Sequence, residues 1–310
     1  MGGGGGSGFS WKSPEAMSEI VRKTEVSVTD VAFETAVAEM LGQSLAAYND
    51  RDTELVQSRL DEIKEKIGDE FEGAVDTLFG GSIAKRTYID GLSDIDTIVI
   101  INKLDTTHTK PHDTLAYISE LLQDRLPADA KVSHGRIAIT IEYSDGMSIQ
   151  LLPALRAEGG FKVPSWQSDN SWSEINPEHF QKALSKRNEE CSRKLIPTIK
   201  LVKAINGTLP EEQRLSGYHI ESLAISAFRG YEGPAILSKM LPYFFDKAKD
   251  LVLSPIKDRT GQSVHVDAYH GPENSAARVQ ASHILGRIAK RIRNANAAKS
   301  QKMWSELFNQ

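Results

Sequence analysis

The tightest constraint on this chain is a glycine turn followed by two aspartates that open an apolar run. The stretch reads Leu78-Phe79-Gly80-Gly81-Ser82-Ile83-Ala84-Lys85-Arg86-Thr87, then Asp90-Gly91-Leu92-Ser93-Asp94-Ile95-Asp96-Thr97-Ile98-Val99-Ile100-Ile101. A glycine turn lets a backbone approach phosphate closely, and a following helix start offers free N–H groups to it. Carboxylates at i and i+2 of a strand share one face. Such a pair can hold Mg2+, which takes oxygen ligands and is commonly bound through carboxylates plus substrate phosphates. A lone Asp-x-Asp more often only ends a loop. Here the Gly-Gly-Ser turn precedes it and Thr97 to Ile101 must be buried. Carboxylates beside such a strand suffer desolvation unless a cation compensates.

The chain of 310 residues is long enough for two ordinary domains. Apolar residues at 40% and charged residues at 25% are the balance of a soluble globular protein. No apolar run is long enough for a membrane span, and the start lacks a cationic and then apolar signal segment. A single cysteine, Cys191, excludes an internal disulfide and points to a reducing, cytoplasmic setting. The net charge of −5 disfavours a basic coat for constitutive duplex binding while leaving a local basic groove open, so stable nucleic-acid binding is left undecided. Residues 2–8, Gly-Gly-Gly-Gly-Gly-Ser-Gly, have nothing to pack and read as part of a flexible tag or linker over 1–12.

Apolar spacing lays out the elements. Thr29 can cap a helix with Phe33, Val37, Met40, Leu41 and Leu45 in one stripe, ended at Asn49-Asp50. A second helix carries Val56, Leu60, Ile63 and Ile67, and the pair is expected to back a sheet. Strands are expected at 74–79, 94–102, 136–143 and 147–152, with a hairpin turn at Ser144-Asp145-Gly146 and a helix over 112–124. Asn176-Pro177-Glu178 is a strong helix opening. Helices are then expected at 178–194, 197–206, 217–229, 235–251 and 274–297, with Pro197 and Pro242 starting or kinking theirs. The boundary falls near 160–178, which predicts a catalytic domain over 13–170 and a helical, nucleotide-binding domain over 171–310.

Gly81-Ser82, Thr87 and Gly91-Leu92-Ser93-Asp94-Ile95-Asp96 together resemble the signature of the polymerase-β-type nucleotidyltransferases. Within them the chain is most similar to the cGAS/DncV-like group of cyclic-oligonucleotide synthases. Ile149-Gln150-Leu151-Leu152-Pro153-Ala154 stands where the family has its third metal-binding carboxylate. Leu195 to Lys203 resembles the helix that sends a lysine to the triphosphate, which makes Lys200 and Lys203 candidates. Leu215-Ser216-Gly217-Tyr218-His219-Ile220-Glu221 resembles the next helix, whose serine touches phosphate and whose tyrosine stacks on a base. Asp258-Arg259-Thr260-Gly261-Gln262-Ser263 is similar to bacterial members. The resemblance implies an α+β fold: a mixed sheet with backing helices and a C-terminal helical lobe.

It also implies a Mg2+- or Mn2+-dependent transfer of nucleoside triphosphates, with Asp94 and Asp96 as metal ligands. Gly81, Ser82, Thr87, Lys200, Lys203, Ser216 and Tyr218 would hold the nucleotide. The product would be a cyclic or short oligonucleotide signal of bacterial antiviral defence, read by a separate effector, with no membrane partner.

The departure is Gln150. An amide carries no charge and is a poorer ligand for a hard cation. Glu142 and Asp145 are nearby carboxylates that do not match the register. Either a natural Glu has been exchanged for its isostere, which the glycine tract favours, or activity has been lost naturally. Both predict weak or absent transfer with nucleotide binding kept. Other readings are a template-independent tailing enzyme, a nucleotidyltransferase toxin, and a catalytically dead nucleotide-binding regulator. The eight histidines form no ligand cluster, and His219 is expected to be a satisfied helix residue.

Overall fold

Each core residue chosen from its spacing is found on a buried face, but not always against the expected partner. The computed structural model describes residues 14–49, 53–71, 75–79, 95–101, 110–165, 168–261 and 264–309. The first helix, α1 (Pro14–Asn49), runs straight through Thr29 instead of starting there. Helix α2 (Thr53–Glu70) follows. Then come β1 (Val75–Phe79), β2 (Ile95–Ile101), α3 (Pro111–Arg125), β3 (Ala130–His134), β4 (Ile139–Tyr143), β5 (Ser148–Ala157), β6 (Gly160–Pro164) and β7 (Trp172–Ile175). The helical part is α4 (Pro177–Glu190), α5 (Leu195–Gly207), α6 (Gly217–Ala227), α7 (Leu237–Leu251), α8 (Ala276–Ala297) and α9 (Gln301–Ser305).

The strands form one seven-stranded mixed sheet with the path β1-β2-β5-β4-β3, extended by β6 on β5 and β7 on β6. Strands β2 and β5 run parallel, and the other pairs are antiparallel. Alternation splits the sheet into two faces. One face sends Val99, Ile101, Ile139, Ile141, Ile149 and Leu151 into a core with Leu115, Ile118 and Leu122 of α3. Val56, Leu60, Ile63 and Ile67 of α2 complete that core. Burying such a side chain contributes roughly 1.5–3 kcal/mol, so this layer fixes the sheet against its helices. The other face carries Ile98, Ile100 and Ala154 against Val163 and Ile175. Positions 96, 150 and 140 belong by alternation to this second face.

Two expectations need correction. First, α1 and α2 do not act as a pair behind the sheet. Only α2 joins the sheet core, whereas Val37 and Leu41 of α1 are buried in the helical core with Leu195, Ile199, Met240, Phe244 and Trp304. Glu34 of α1 also accepts a hydrogen bond from the Ser238 hydroxyl of α7 at 3.1 Å. The apolar stripe of a helix states that it must be covered, but not by what. Second, no strand was expected beyond 152, yet β5 runs on to Ala157 and β6 and β7 follow it in the sheet. Gly160 makes the turn into β6 with φ +153°, and a Cβ there would lie 2.2 Å from the Ile175 carbonyl oxygen, a position only glycine can take. Asn176 closes the sheet region. Its side chain donates to the Gly159 carbonyl at 2.7 Å and accepts from the Glu178 amide at 3.1 Å, capping α4. Pro197 lies in the first turn of α5, and Pro242 lies inside α7.

Candidate active site

The site starts from the register of two parallel strands. Asp96 of β2 is the Cα partner of Gln150 of β5, and Gln150 is in turn the partner of Thr140 of β4. Direct partners share a face, so the sequence-distant 96 and 150 are neighbours in one row of the sheet. Thr140 and Gln150 are half-buried. The strand behind Asp96 is as dry as its sequence required: Thr97, Val99, Ile100 and Ile101 are each at most 1% exposed. Gly81, Ser82, Thr87 and Asp94 lie outside the described residues, and Asp96 is described through its backbone.

The nearby carboxylates considered as substitutes for a charge at 150 stand elsewhere. Glu142 pairs with Ser148 and Lys131, two residues along the strand from the 96–150–140 row, and is exposed. Asp145 in the hairpin turn is bound by Arg59 of α2 at 2.9 Å. The Arg59 hydrogen bond and that from the Met147 amide hold its carboxyl below the usual carboxylate range. Arg59 also lies over the Tyr143 ring at 3.7 Å, so this cluster clamps α2 to the hairpin.

The helical-lobe candidates assemble around the start of α6. Ser216 is its N-cap, exposed, with a hydroxyl that accepts from the His219 amide at 3.2 Å. Tyr218 is half-buried. Its ring packs on Phe180 at 4.7 Å between centroids, and its hydroxyl donates to Asp258 at 2.7 Å. Burial and that carboxylate push the phenol well above its ordinary range. Lys200 is half-buried on α5.

Lys203, one turn on, is buried. It is 6% exposed, and its Nζ bonds Glu221 of α6, 1% exposed, at 2.8 Å. A Cβ on Gly217 would stand 3.3 Å from the Lys203 Nζ and 3.4 Å from its Cε. The glycine between Ser216 and Tyr218 thus makes room for the buried lysine stem. The structure brings Lys203, Ser216, Gly217 and Tyr218 together, and separately Asp96 with Gln150.

Sequence reading missed a buried polar hub behind Ser216. His219, Asp267 and Arg278 are all 0% exposed. Arg278 Nη1 donates to Asp267 Oδ2 at 2.6 Å and to the Val252 carbonyl at 3.0 Å, and its Nε donates to the Gly271 carbonyl at 3.0 Å. His219 Nε2 lies 3.4 Å from Asp267 Oδ2, and its Nδ1 lies 2.9 Å from the Tyr269 hydroxyl. Burial is the main cause that lowers the His219 pKa to about 4, helped by His270 and Arg278 and opposed by Asp267. The ring is therefore neutral near pH 7. A signal for the hub was present: Arg278 continues the apolar stripe Ala281, Leu285, Ile288 and Ile292 of α8, and a charge in such a stripe must be buried with a partner.

Comparison with known proteins bears on the fold. Residues 39–188 match the family described as Second Messenger Oligonucleotide or Dinucleotide Synthetase domain. No curated protein matches the sequence at a significant level. Among solved structures, CdnC of E. coli MS115-1 with ATP is similar at a TM-score of 0.63 and 16% identity, over 83% of this chain and 90% of that one. CdnG of Bradyrhizobium diazoefficiens, a CD-NTase in complex with GTP, gives 0.62 and 17%, over 89% and 94%. Apo DncV of Vibrio cholerae gives 0.61 and 11%, over 96% and 89%. These likenesses carry the fold, an α+β nucleotidyltransferase sheet with a helical lobe. Taken with the domain match over 39–188, they make this chain similar to the cGAS/DncV-like nucleotidyltransferases.

Proposed function

We propose that this chain is built to join nucleoside triphosphates, with Mg2+ or Mn2+, into a cyclic or short oligonucleotide signal, and that Gln150 leaves it weakly active or inactive as it stands. The observation that carries this reading is the register of Asp96 opposite Gln150 on parallel strands. It puts the amide in the row where a second strand would complete an acidic site. The neighbours support the substrate class: CdnC is described with ATP, CdnG with GTP, and DncV as a cyclic AMP-GMP synthase. The signal would serve bacterial antiviral defence in the cytoplasm and be read by a separate effector. Among the described residues no helix is long and apolar enough to cross a membrane.

The donor set fits a hard cation in kind, with one charge too few. Asp94 and Asp96 would hold it through carboxylate oxygens, and Gln150 offers only a neutral amide oxygen. When bound, the ion screens the triphosphate and the departing pyrophosphate. A 3′- or 2′-hydroxyl attacks an α-phosphate, and pyrophosphate leaves. A carboxylate at 150 could hold the hydroxyl proton on an oxygen, which an amide cannot do near neutral pH. Ser82 and its neighbours would receive the β- and γ-phosphates through hydroxyl and N–H groups. Lys200 and Ser216 would add contacts to the triphosphate, and Tyr218 would meet the base. Lys203 would act there after releasing Glu221, or else support the turn from below. The working division is a catalytic domain over 13–170 and a nucleotide-binding helical domain over 171–310, with α1 reaching across to the latter.

Gln150 itself favours one second reading, a catalytically silent nucleotide-binding regulator. Incubating Gln150→Glu protein with each NTP and dNTP and separating products by mass discriminates them. A cyclic or short linear product supports the proposal. A long ladder supports a tailing enzyme, a labelled macromolecule a toxin, and no product from any mixture the silent regulator.

A further inference from the structure

We infer that the connection between α7 and α8 is a positioning strap for the turn Ser216–Tyr218, with Tyr269 and Asp258 as its two positioning residues. The inference rests on the proposal that this turn meets the nucleotide. Its two ends hold the turn at different points. The Tyr269 hydroxyl accepts from the Ser216 backbone N–H at 3.2 Å. The Asp258 carboxylate accepts from the Tyr218 hydroxyl at 2.7 Å, from the Thr260 amide at 2.8 Å and from the Thr260 hydroxyl at 2.8 Å. One segment therefore sets both the peptide that leads into the serine and the tilt of the aromatic ring.

The strap is itself rigidly held. Arg278 spends its guanidinium on the strap, bonding the Asp267 carboxylate at 2.6 Å, the Asp267 carbonyl at 3.2 Å and the Pro272 carbonyl at 3.1 Å. The other Asp267 oxygen accepts from the Ile256 amide at 3.0 Å, which ties the two flanks of the strap together. Thr260 adds a third anchor, since its carbonyl accepts from the Asn176 amide at 2.8 Å where the sheet gives way to α4. The proton order follows from these partners. With Ser216 N–H donating to its oxygen, Tyr269 gives its own proton to His219 Nδ1, 2.9 Å away. His219 is then the Nε2–H tautomer, facing Asp267. A buried arginine is thus connected through Asp267, His219 and Tyr269 to the backbone of an exposed serine. Its removal leaves donors and acceptors unpaired in a dry interior.

The test is ATP binding with Mg2+, measured by calorimetry well below the melting temperature. Tyr269→Phe is compared with Leu122→Ala, a change in the sheet core, apart from the helical core that carries the turn. The expected result is ATP affinity weakened about three- to tenfold in Tyr269→Phe, the worth of one lost hydrogen bond, and unchanged in Leu122→Ala. If Tyr269→Phe does not fold, Asp258→Ala carries the same test through Tyr218. Unchanged affinity in the tested strap variant, while Tyr218→Ala loses binding, overturns the strap and leaves the proposed function standing. Unchanged affinity in Tyr218→Ala as well, or no ATP binding by the parent chain, overturns both.

Discussion

Asp96 and Gln150 stand directly opposite each other on the parallel strands β2 and β5, with Thr140 completing the row. Because direct partners share a face, a charge placed at 150 acts on position 96 across a single strand spacing.

Gln150→Glu therefore has opposite effects without and with a divalent cation. In chelator, like charges across adjacent strands should lower stability by about 0.2–1 kcal/mol. Added Mg2+ should raise the thermal midpoint of the variant above its own chelated value by more than it raises the parent's. Thermal melts with EDTA and with Mg2+ read this directly. Equal Mg2+ responses in the two proteins would count against cation binding in this row.

Lys203 and Glu221 form a buried ion pair, 2.8 Å apart and nearly inaccessible. Removing one partner takes the counter-charge from the other in a dry interior. Lys203→Met should cost about 3–5 kcal/mol, and Lys203→Met with Glu221→Leu distinctly less than the sum of the singles. Urea unfolding of the four proteins closes the cycle. Additive losses would mean that the two charges do not depend on each other.

The histidine hub predicts acid sensitivity. His219 has a pKa near 4 in the fold against 6.5 ordinarily, so between those values the unfolded chain binds more protons. Stability from this group is complete above pH 6.5 and is lost as pH falls toward 4, by on the order of 3 kcal/mol. Burial lowers His270 too, which adds loss of the same sign. Asp267 stays charged over this window. Burial would raise the Asp267 carboxyl, but hydrogen bonds from Arg278 and the Ile256 amide hold it low. Urea midpoints from pH 7 to pH 4.5 should fall more steeply in the parent than in His219→Gln.

Gly160 is a steric prediction. A methyl group there meets the Ile175 carbonyl at 2.2 Å with φ at +153°, so Gly160→Ala should cost about 1–3 kcal/mol. Gly159→Ala, where a Cβ meets nothing within 4 Å, serves as the control. Thermal melts should show the loss in the first variant and little in the second.

Much of the fold was legible where one local rule acted alone. The alternating run around Ile139 and Ile141, the Asn176-Pro177 opening and the stripe of α2 each declare a period or a cap. Strands β3, β6 and β7 were not legible. Ala130–His134 is mostly exposed, and Trp172–Ile175 is short and polar, so neither has a pattern that survives without its partner strand. The site divided similarly. Asp96 was proposed from its motif, and Gln150, Ser216 and Tyr218 from the resemblance. Asp267 and Tyr269 sit in a connection whose composition says nothing of their partners: Arg278 reaches Asp267, and Tyr269 meets His219 and Ser216.

The order of residues was sufficient to nominate positions for phosphate and cation chemistry, to say which side chains need covering, and to show that position 150 lacks a charge. Those properties are local, set by side-chain type and by periods of two or 3.6 residues. Tertiary structure alone decided that α1 joins the helices rather than the sheet, that Lys203 spends its charge on Glu221, and that Tyr269 holds Ser216. Each joins segments far apart along the chain, and the free energy of such a contact depends on which surfaces exclude water together, a quantity no single stretch of sequence contains.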